Sequence, residues 1–362
     1  MSAQHEAATA DRAQSASSAG WDWSRRSTLI GLALVSVVSM IVAIGLGPVW
    51  VTPPTVLRII GHHTIGVPEI ASWARTDDAI IWEVRLPRVL LGVIVGSALG
   101  VVGVTLQALV RNPLAEPYIL GVSSGASAGA AAAILFGVGS ELGAESVSSM
   151  AFLGALGALA IVLALARSTG RITPSRMLVA GVAVSYLLSA TTSLLILFAD
   201  STEGARAVMF WLLGSLANAD WSTLPIGYFG MGVGMVLVFW WRRRLDLLAL
   251  GEDTAMASGV DPGRTRLILV VVVALCVGFA VSLSGGIGFV GLAAPHIARR
   301  IVGPIHRHLI PASAALGALI LVWADVAARM ALQPRELPIG VVTGVLGAPV
   351  LVALVRKLPH NS

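Results

Sequence analysis

The strongest constraint on the fold is a succession of apolar runs, most of them close to the roughly 20 residues that a membrane-spanning helix needs. Only 12% of the residues are charged, whereas soluble domains carry about 25%. The chain cannot cover its own surface with polar groups, so the sequence predicts an all-α polytopic membrane protein. We predict ten spans, at approximately 29–47, 87–109, 116–137, 149–167, 177–199, 223–241, 266–284, 288–302, 309–330 and 338–356.

The distribution of basic residues predicts which ends of these spans lie in the cytosol. With ten spans and a cytosolic N-terminus, seventeen of the 24 Lys and Arg residues fall on the cytosolic side and seven on the outer side. This bias follows the positive-inside rule, so we expect both termini in the cytosol. Residues 1–27 are rich in Ala and Ser and lack apolar periodicity. They predict a disordered cytosolic tail before a transmembrane domain at 28–358.

The lysine and cysteine content argues against several kinds of chemistry. Lys357 is the only lysine and is followed by Leu358, whereas a G-x-x-x-x-G-K-[ST] phosphate loop needs its lysine for the β- and γ-phosphates. The single cysteine, Cys276, leaves no partner for an internal disulfide. No paired carboxylates or histidine cluster suggests a catalytic or metal site. We therefore expect no enzyme, no bound cofactor or metal, and no ATPase in this chain.

Two breaks rich in Gly and Pro interrupt the apolar pattern at matching places in the two halves. The first reads NPLAEPYILGVSSG after span two, and the second reads GGIGFVGLAAP after span seven. These two spans start on opposite sides of the membrane, so the halves are predicted to be inverted repeats. Broken backbone at membrane depth is tolerated where it lines a cavity or is buried in protein. The sequence thus predicts a pathway or close helix packing at Asn112, Pro113, Pro117, Gly121, Gly125, Gly286, Gly288 and Gly291.

Several longer blocks are specific enough to indicate a family. The sequence resembles the FecCD/BtuC-type permeases, which are the membrane subunits of ABC importers for iron-siderophores, haem and cobalamin. The matching blocks run in order from about residue 83 to 356. They are RLPR at 85–88, RNPLAEPYILGVSSGASAGA at 111–130, WLLGSL at 211–216, GIGFVGLAAPHIARR at 286–300 and ADVAARMALQPRELPIGVVTGVLGAPVL at 324–351.

The resemblance implies a permease with the ten-span type II importer fold and inverted half-repeats, in the cytoplasmic membrane of a bacterium. Its implied partners are two cytosolic ATPase subunits that use ATP, a second permease subunit (identical or a sister chain), an extracytoplasmic substrate-binding protein and the lipid bilayer, with no nucleic acid. Ferric siderophore is the expected cargo, with haem or cobalamin as alternatives. An ion-coupled secondary transporter is the alternative of another class, with Asp325 as its clearest acidic candidate.

The resemblance also implies two contact regions for partner proteins. The cytosolic loop 246–264 would seat in a cleft of the ATPase through Gly251, Glu252, Ala255, Gly259 and Val260. On the outer side, Arg85, Arg88 and Arg329 would receive carboxylates of the binding protein, because a guanidinium group pairs with them in two-pronged geometry.

Other polar residues have plainer interpretations. Arg329 lies four residues after Asp325, and an i, i+4 pair on one helix is the alternative to docking. Gln107 and Arg111 have the same spacing; a gate and a local polar pair are the two alternatives, and we expect the local pair. His62 and His63 are expected to be a solvated pair in an outer loop.

Overall fold

The computed structural model describes residues 25–167 and 173–355. Within those ranges the chain is almost entirely helical, and its only β-type pairing is an isolated bridge between Leu332 and Arg335. The predicted tail at 1–27 lies outside the described residues except for its last three, which already belong to the first helix.

Fifteen α-helices make up the described part of the chain, and ten of them coincide with the ten predicted spans. The other five, α2, α3, α8, α10 and α11, are short connecting helices. In chain order the helices are α1 (Arg25–Gly45), α2 (Pro53–Ile65), α3 (Arg75–Ala79), α4 (Leu86–Val110), α5 (Val122–Phe136), α6 (Ser146–Arg167), α7 (Pro174–Leu197), α8 (Thr202–Leu212), α9 (Leu224–Trp240), α10 (Arg242–Leu250), α11 (Glu252–Ala257), α12 (Pro262–Ser284), α13 (Val290–Val302), α14 (His306–Met330) and α15 (Ile339–Val355).

The ten helices differ in how much of a bilayer they can cross. Six are long and apolar enough to span it alone, namely α1, α4 with the turns before it, α6, α7, α12 and α14, while α9 bends by 57° into α10. By contrast, α5 has 15 residues and α13 has 13. At about 1.5 Å per residue they are shorter than the roughly 30 Å hydrocarbon core. Both follow a Gly- and Pro-rich break, so we infer that each begins inside the membrane.

A π-helical turn over Ile80–Arg85 joins α3 to α4 without a break. The reason lies two residues later, at Pro87. Proline lacks a backbone N–H, and in an α-helix its ring collides with the carbonyl four residues earlier. A wider turn relieves that collision, and π-turns are frequent at functional positions. The turn also determines where Arg85 and Arg88 leave the helix.

Helix α4 lies at the centre of the bundle and is buried along almost its whole length. It packs against α14 through glycines that bring the two backbones into contact. A Cβ on Gly96 would collide with the carbonyl of Gly317, and one on Gly100 with the carbonyl of Ser313. Small residues permit this close approach in lipid.

The helix pairs are consistent with inverted repeats. Span two (α4) packs on span nine (α14), and span seven (α12) packs on span four (α6). In a chain of two five-span halves, span two corresponds to span seven and span nine corresponds to span four, so these two pairs are equivalent. In the first half, Gly125 of α5 meets the backbone of Gly154 in α6. The two halves therefore interlock across the molecule instead of forming separate bundles.

Candidate functional site

The first break separates α4 from α5. Helix α4 ends at Val110, because Arg111 adopts a left-handed conformation with φ 56°. The Asn112 side chain then accepts a hydrogen bond from the backbone N–H of Leu114 at 2.9 Å. A single 3-10 turn, Pro117–Leu120, follows, and Gly121 at φ 74° leads into α5. Helix α4 therefore ends just before Asn112 and Pro113, the residues with which the Gly- and Pro-rich break begins.

The second break separates α12 from α13. Gly285 has φ 66°, and a Cβ at this position would collide with the carbonyl of Trp211. The chain then runs without regular structure to Phe289, a non-glycine residue with φ 67°. Such a conformation costs energy for a bulky side chain and persists only where the surroundings hold it. Helix α13 begins at the next residue, Val290.

The two breaks are joined directly by a contact that we call the clasp, made by Glu116 and Tyr118. The backbone N–H of Phe289 donates to Glu116 Oε1 at 2.6 Å, and that of Ile287 donates to the Tyr118 hydroxyl at 2.7 Å. Neither donor has a helical partner, since both precede the first turn of α13. The side chains of the first break thus satisfy the open backbone of the second. The sequence predicted two matching breaks, but it did not predict the role of Glu116.

The predicted glycines of the breaks serve mainly in close packing. A Cβ on Gly291 would lie 2.8 Å from Pro117 Cδ, and one on Gly286 would lie 2.8 Å from the carbonyl oxygen of Leu212. Gly288 has more room and faces Glu116 and Tyr118, with the nearest atom at 3.6 Å. Gly288 is therefore less tightly packed than Gly286 and Gly291.

A cavity of about 720 Å³ opens at the end of the bundle that carries Arg85, which we call the predicted outer face. It borders the second break at Ser284 and Gly285, and α8 forms part of its wall. Its acidic lining residues are Glu145, Asp220 and Glu336, and no Lys, Arg or His is among the described lining residues. The remainder of the described lining mixes apolar residues with seven neutral polar ones, which are Ser148, Ser215, Asn218, Ser222, Thr223, Ser282 and Ser284.

One of these acids also shapes the rim of the cavity. Asp220 Oδ1 accepts hydrogen bonds from the backbone N–H groups of Ser222 and Thr223 at 2.9 and 2.8 Å. Hydrogen bonds from Ser222 and Thr223 hold the pKa of Asp220 below its ordinary value. The rim therefore stays negatively charged at neutral pH.

The outer arginines are buried and paired within the chain. Arg88 Nε donates to Asp325 Oδ1 at 2.7 Å, and a second nitrogen of the same group lies 2.9 Å from Glu336. The predicted pair of Asp325 and Arg329 is present as an ion pair at 3.0 Å, without the alignment of a hydrogen bond. Two guanidinium groups thus compensate Asp325, whose side chain is only 2% exposed. This pairing argues against Asp325 as an ion-coupling carboxylate.

Arg85 and Arg329 also cap the C-terminal end of α1. Arg85 donates to the carbonyls of Ile44, Gly45 and Val49, and Arg329 donates to those of Leu46 and Ala43. The last carbonyls of a helix lack intrahelical donors, so cations there are stabilising. A partner's carboxylates could reach Arg85, Arg88 and Arg329 only after these internal contacts exchange. Docking through them stays a prediction.

One polar prediction is wrong, and another gains detail. Gln107 does not pair with Arg111, because α4 ends between them; Arg299 of α13 donates to Gln107 Oε1 at 3.0 Å instead. His62 and His63 lie at the end of the connecting helix α2, and His63 is exposed, in keeping with a solvated pair. His63 stacks on Trp82 with ring centroids 4.3 Å apart and lies 3.0 Å from a carboxylate oxygen of Asp78.

The loop 246–264 contains the second part of α10, the whole of α11 and the first residues of α12, at the opposite end of the bundle, the predicted inner face. Gly251 at φ 135° and Gly259 at φ 77° bracket α11, in conformations that favour glycine. Ala255 is fully buried and Val260 is half-buried against the core, so both pack inward. The prediction that they belong to a face for a partner is therefore corrected for Ala255. Met256, which is 47% exposed, is the apolar side chain that α11 presents outward.

Two side-chain contacts connect this loop to the membrane helices. Glu252 of α11 pairs with Arg266 of α12 at 2.8 Å. Asp246 of α10 accepts from the backbone N–H of His306 at 3.0 Å and lies 2.6 Å from its ring Nδ1. Partial burial opposes ionisation of Asp246. Hydrogen bonds from His306 and the charge of Arg242 outweigh that effect and hold the pKa of Asp246 below its ordinary value.

Comparison with known proteins gives a consistent assignment. The profile of the FecCD transport family matches residues 34–357. The vitamin B12 import system permease protein BtuC of Vibrio cholerae is 39% identical over 346 residues, covering 94% of this chain and 96% of the relative. The cobalamin import system permease protein BtuC of Halobacterium salinarum is 40% identical over 291 residues, covering 80% and 75% respectively.

A solved structure gives the same result at the level of the fold. An ABC transporter chain in an inward-facing conformation superimposes with a TM-score of 0.80 at 32% identity, covering 92% of this chain and all of the other. The predicted all-α, multi-span fold is confirmed.

Proposed function

This chain belongs to the FecCD transport family, and from that membership we propose that it is the permease subunit of an ATP-driven importer carrying a metal chelate into the cytoplasm. One observation carries the proposal most directly. Two half-length helices begin at breaks inside the bundle, and the clasp joins those breaks. Broken helices that meet at membrane depth are the arrangement from which alternating-access pathways are built.

The energy source in this proposal is a pair of ATPase subunits bound at the predicted inner face. The loop 246–264 supports this role, because α11 is a short, rigid element that presents Met256 between two glycines. A second permease subunit would complete the pathway, and an extracytoplasmic binding protein would deliver the chelate to the predicted outer face. Both termini would lie in the cytosol.

The cargo would enter through the cavity beside the second break. Its described lining combines apolar residues such as Phe210 and Trp211 with hydroxyl groups and three acids, and it includes no basic side chain. Glu336 is paired with Arg88, so Glu145 and Asp220 are the acids that give this lining its negative charge. Such walls repel a strongly anionic chelate and accept an uncharged or cationic one. The relatives named for vitamin B12 favour cobalamin, and a hydroxamate-type ferric siderophore has the same charge character. Haem, with two carboxylates, fits less well.

The experiment is ATP-dependent uptake into proteoliposomes containing this chain, its ATPase subunits and the binding protein. Cobalamin, a ferric hydroxamate chelate and haem are offered separately. The matched control is an ATPase subunit whose phosphate-loop lysine is replaced by alanine. We expect accumulation of one chelate with the wild-type ATPase and none with the control. Equal accumulation in both would overturn the proposal.

A further inference from the structure

The N-terminus of α14 is capped from another part of the chain. Its own N-cap residue, Ile305, has no side chain that can accept a hydrogen bond. Asp246 of α10, 60 residues earlier, accepts from the first backbone N–H of the helix, that of His306. A carboxylate at a helix N-terminus also interacts favourably with the helix dipole. The cap of a membrane helix thus resides on the loop that the proposed ATPase would grip.

The contact is specific and well protected on the α14 side. The His306 side chain is only 5% exposed, and its ring Nδ1 lies 2.6 Å from the same Asp246 oxygen that caps the helix. Two donors of one residue therefore converge on one carboxylate oxygen. The neighbouring residues Leu245 and Leu248 of α10 are buried, so α10 would move as one unit and not as a loose segment.

The second contact of the loop cannot serve the same purpose. Glu252 and Arg266 are separated by 14 residues, on helices that follow one another in the chain. Their ion pair fixes α11 to the start of α12, to which the loop is already covalently attached. Of the two contacts, the one between Asp246 and His306 connects the loop to a helix that is remote in sequence.

Helix α14 is suited to carry a displacement across the membrane. Its 25 residues correspond to about 37 Å at 1.5 Å per residue. Its backbone touches that of α4 at Gly317 and Ser313, so the two helices cannot slide past each other without separating. At its far end, Asp325 and Arg329 engage Arg88 and the end of α1. Movement of His306 would therefore reach the outer charge cluster through one continuous helix, which contains Pro311 near its start.

We propose that Asp246 and His306 are positioning residues that transmit movement of the loop 246–264 to α14. This proposal rests on the proposed function, because it assumes that ATPase subunits act on that loop. Neither residue is among the described lining residues of the cavity. Their role is to convert displacement of α10 into displacement of α14, so that ATP hydrolysis and opening of the pathway occur together.

The test measures chelate transported per ATP hydrolysed in the reconstituted complete complex. Asp246→Ala removes the cap, and we expect this ratio to fall about tenfold, a typical size for an allosteric coupling, while ATP hydrolysis continues. Asp246→Asn keeps an oxygen that can accept from His306, so it should retain most of the ratio. His306→Phe keeps the backbone donor and the buried ring but loses the Nδ1 contact, and should give an intermediate ratio.

The matched control is Thr173→Ala, which removes a side-chain cap from the start of α7 at the same face. It weakens a helix end without touching the loop, so its ratio should equal that of the wild type. An unchanged ratio in Asp246→Ala would overturn the proposal. This includes the case in which transport and hydrolysis fall by the same factor and the melting temperature drops, because that result shows lost stability and not lost coupling. Absence of ATP-driven transport by the wild-type complex would instead refute the proposed function.

Discussion

Glu116 is an acidic side chain in the broken part of a membrane-spanning segment, and its partner is a backbone N–H group. That group belongs to Phe289, whose left-handed conformation needs external support. The carboxylate is thus held by the N-terminal end of α13, where the helix dipole and the unpaired N–H groups favour negative charge. No sequence pattern flags such a residue, because its partner is a peptide group 173 residues away.

Removing this acceptor should destabilise the junction of the two breaks. We expect Glu116→Ala to cost about 1–3 kcal/mol, the penalty for an unsatisfied buried donor, and to abolish most transport. Glu116→Gln retains an acceptor oxygen and should behave nearly like the wild type. Thermal melting in detergent, together with uptake, checks this. Equal melting temperatures for the Ala and Gln variants would contradict it.

The outer charge cluster gives a second prediction at the same scale. Asp325→Asn leaves Arg88 and Arg329 without their shared buried anion, and breaking a buried pair from one side costs about 3–5 kcal/mol. We expect less folded protein in the membrane. Asp325→Leu combined with Arg329→Leu should recover part of that loss. Normal yield with loss of ion-dependent uptake in Asp325→Asn would favour the secondary-transporter alternative.

At the scale of helices, the seam between α4 and α14 depends on the absence of side chains. Gly100→Ala should disrupt the bundle, because the new Cβ would meet the carbonyl of Ser313 in the other backbone. Gly157→Ala is the matched control, since nothing lies within 4 Å of its Cβ position. Size-exclusion profiles and melting temperatures should separate the two variants. Equal elution profiles and melting temperatures for the two variants would show that α4 and α14 can move apart without loss of stability.

The sequence predicted the positions of the ten membrane helices well, because each is marked by an apolar run. It did not predict the connecting helices α2 and α8, which have only 13 and 11 residues and are not marked by a long apolar run. The paired breaks were visible as Gly and Pro clusters, but the clasp was not. The sequence singled out the outer arginines by their motif. It did not predict that Arg85 and Arg329 cap α1, because that contact depends on tertiary packing. Ala255 was misjudged for the same reason, since its burial depends on how α11 packs.

For the molecule as a whole, the orientation in the membrane is open to a direct measurement. Ser140 is exposed near the predicted outer face and Ser258 near the predicted inner face. A membrane-impermeant thiol reagent applied to intact cells should label Ser140→Cys and not Ser258→Cys. The native Cys276 is buried and should remain silent in both. The reverse labelling pattern would overturn the predicted topology.

The clasp has a consequence for how the protein is made. A ribosome delivers the chain from its N-terminus, so Glu116 enters the translocon long before Phe289 has been synthesised. Until then the Glu116 carboxylate lies at the bilayer without the backbone N–H group of Phe289 that binds it in the folded protein. During biogenesis this part of the first half must therefore stay in the insertion machinery or in contact with water until the second half has been inserted.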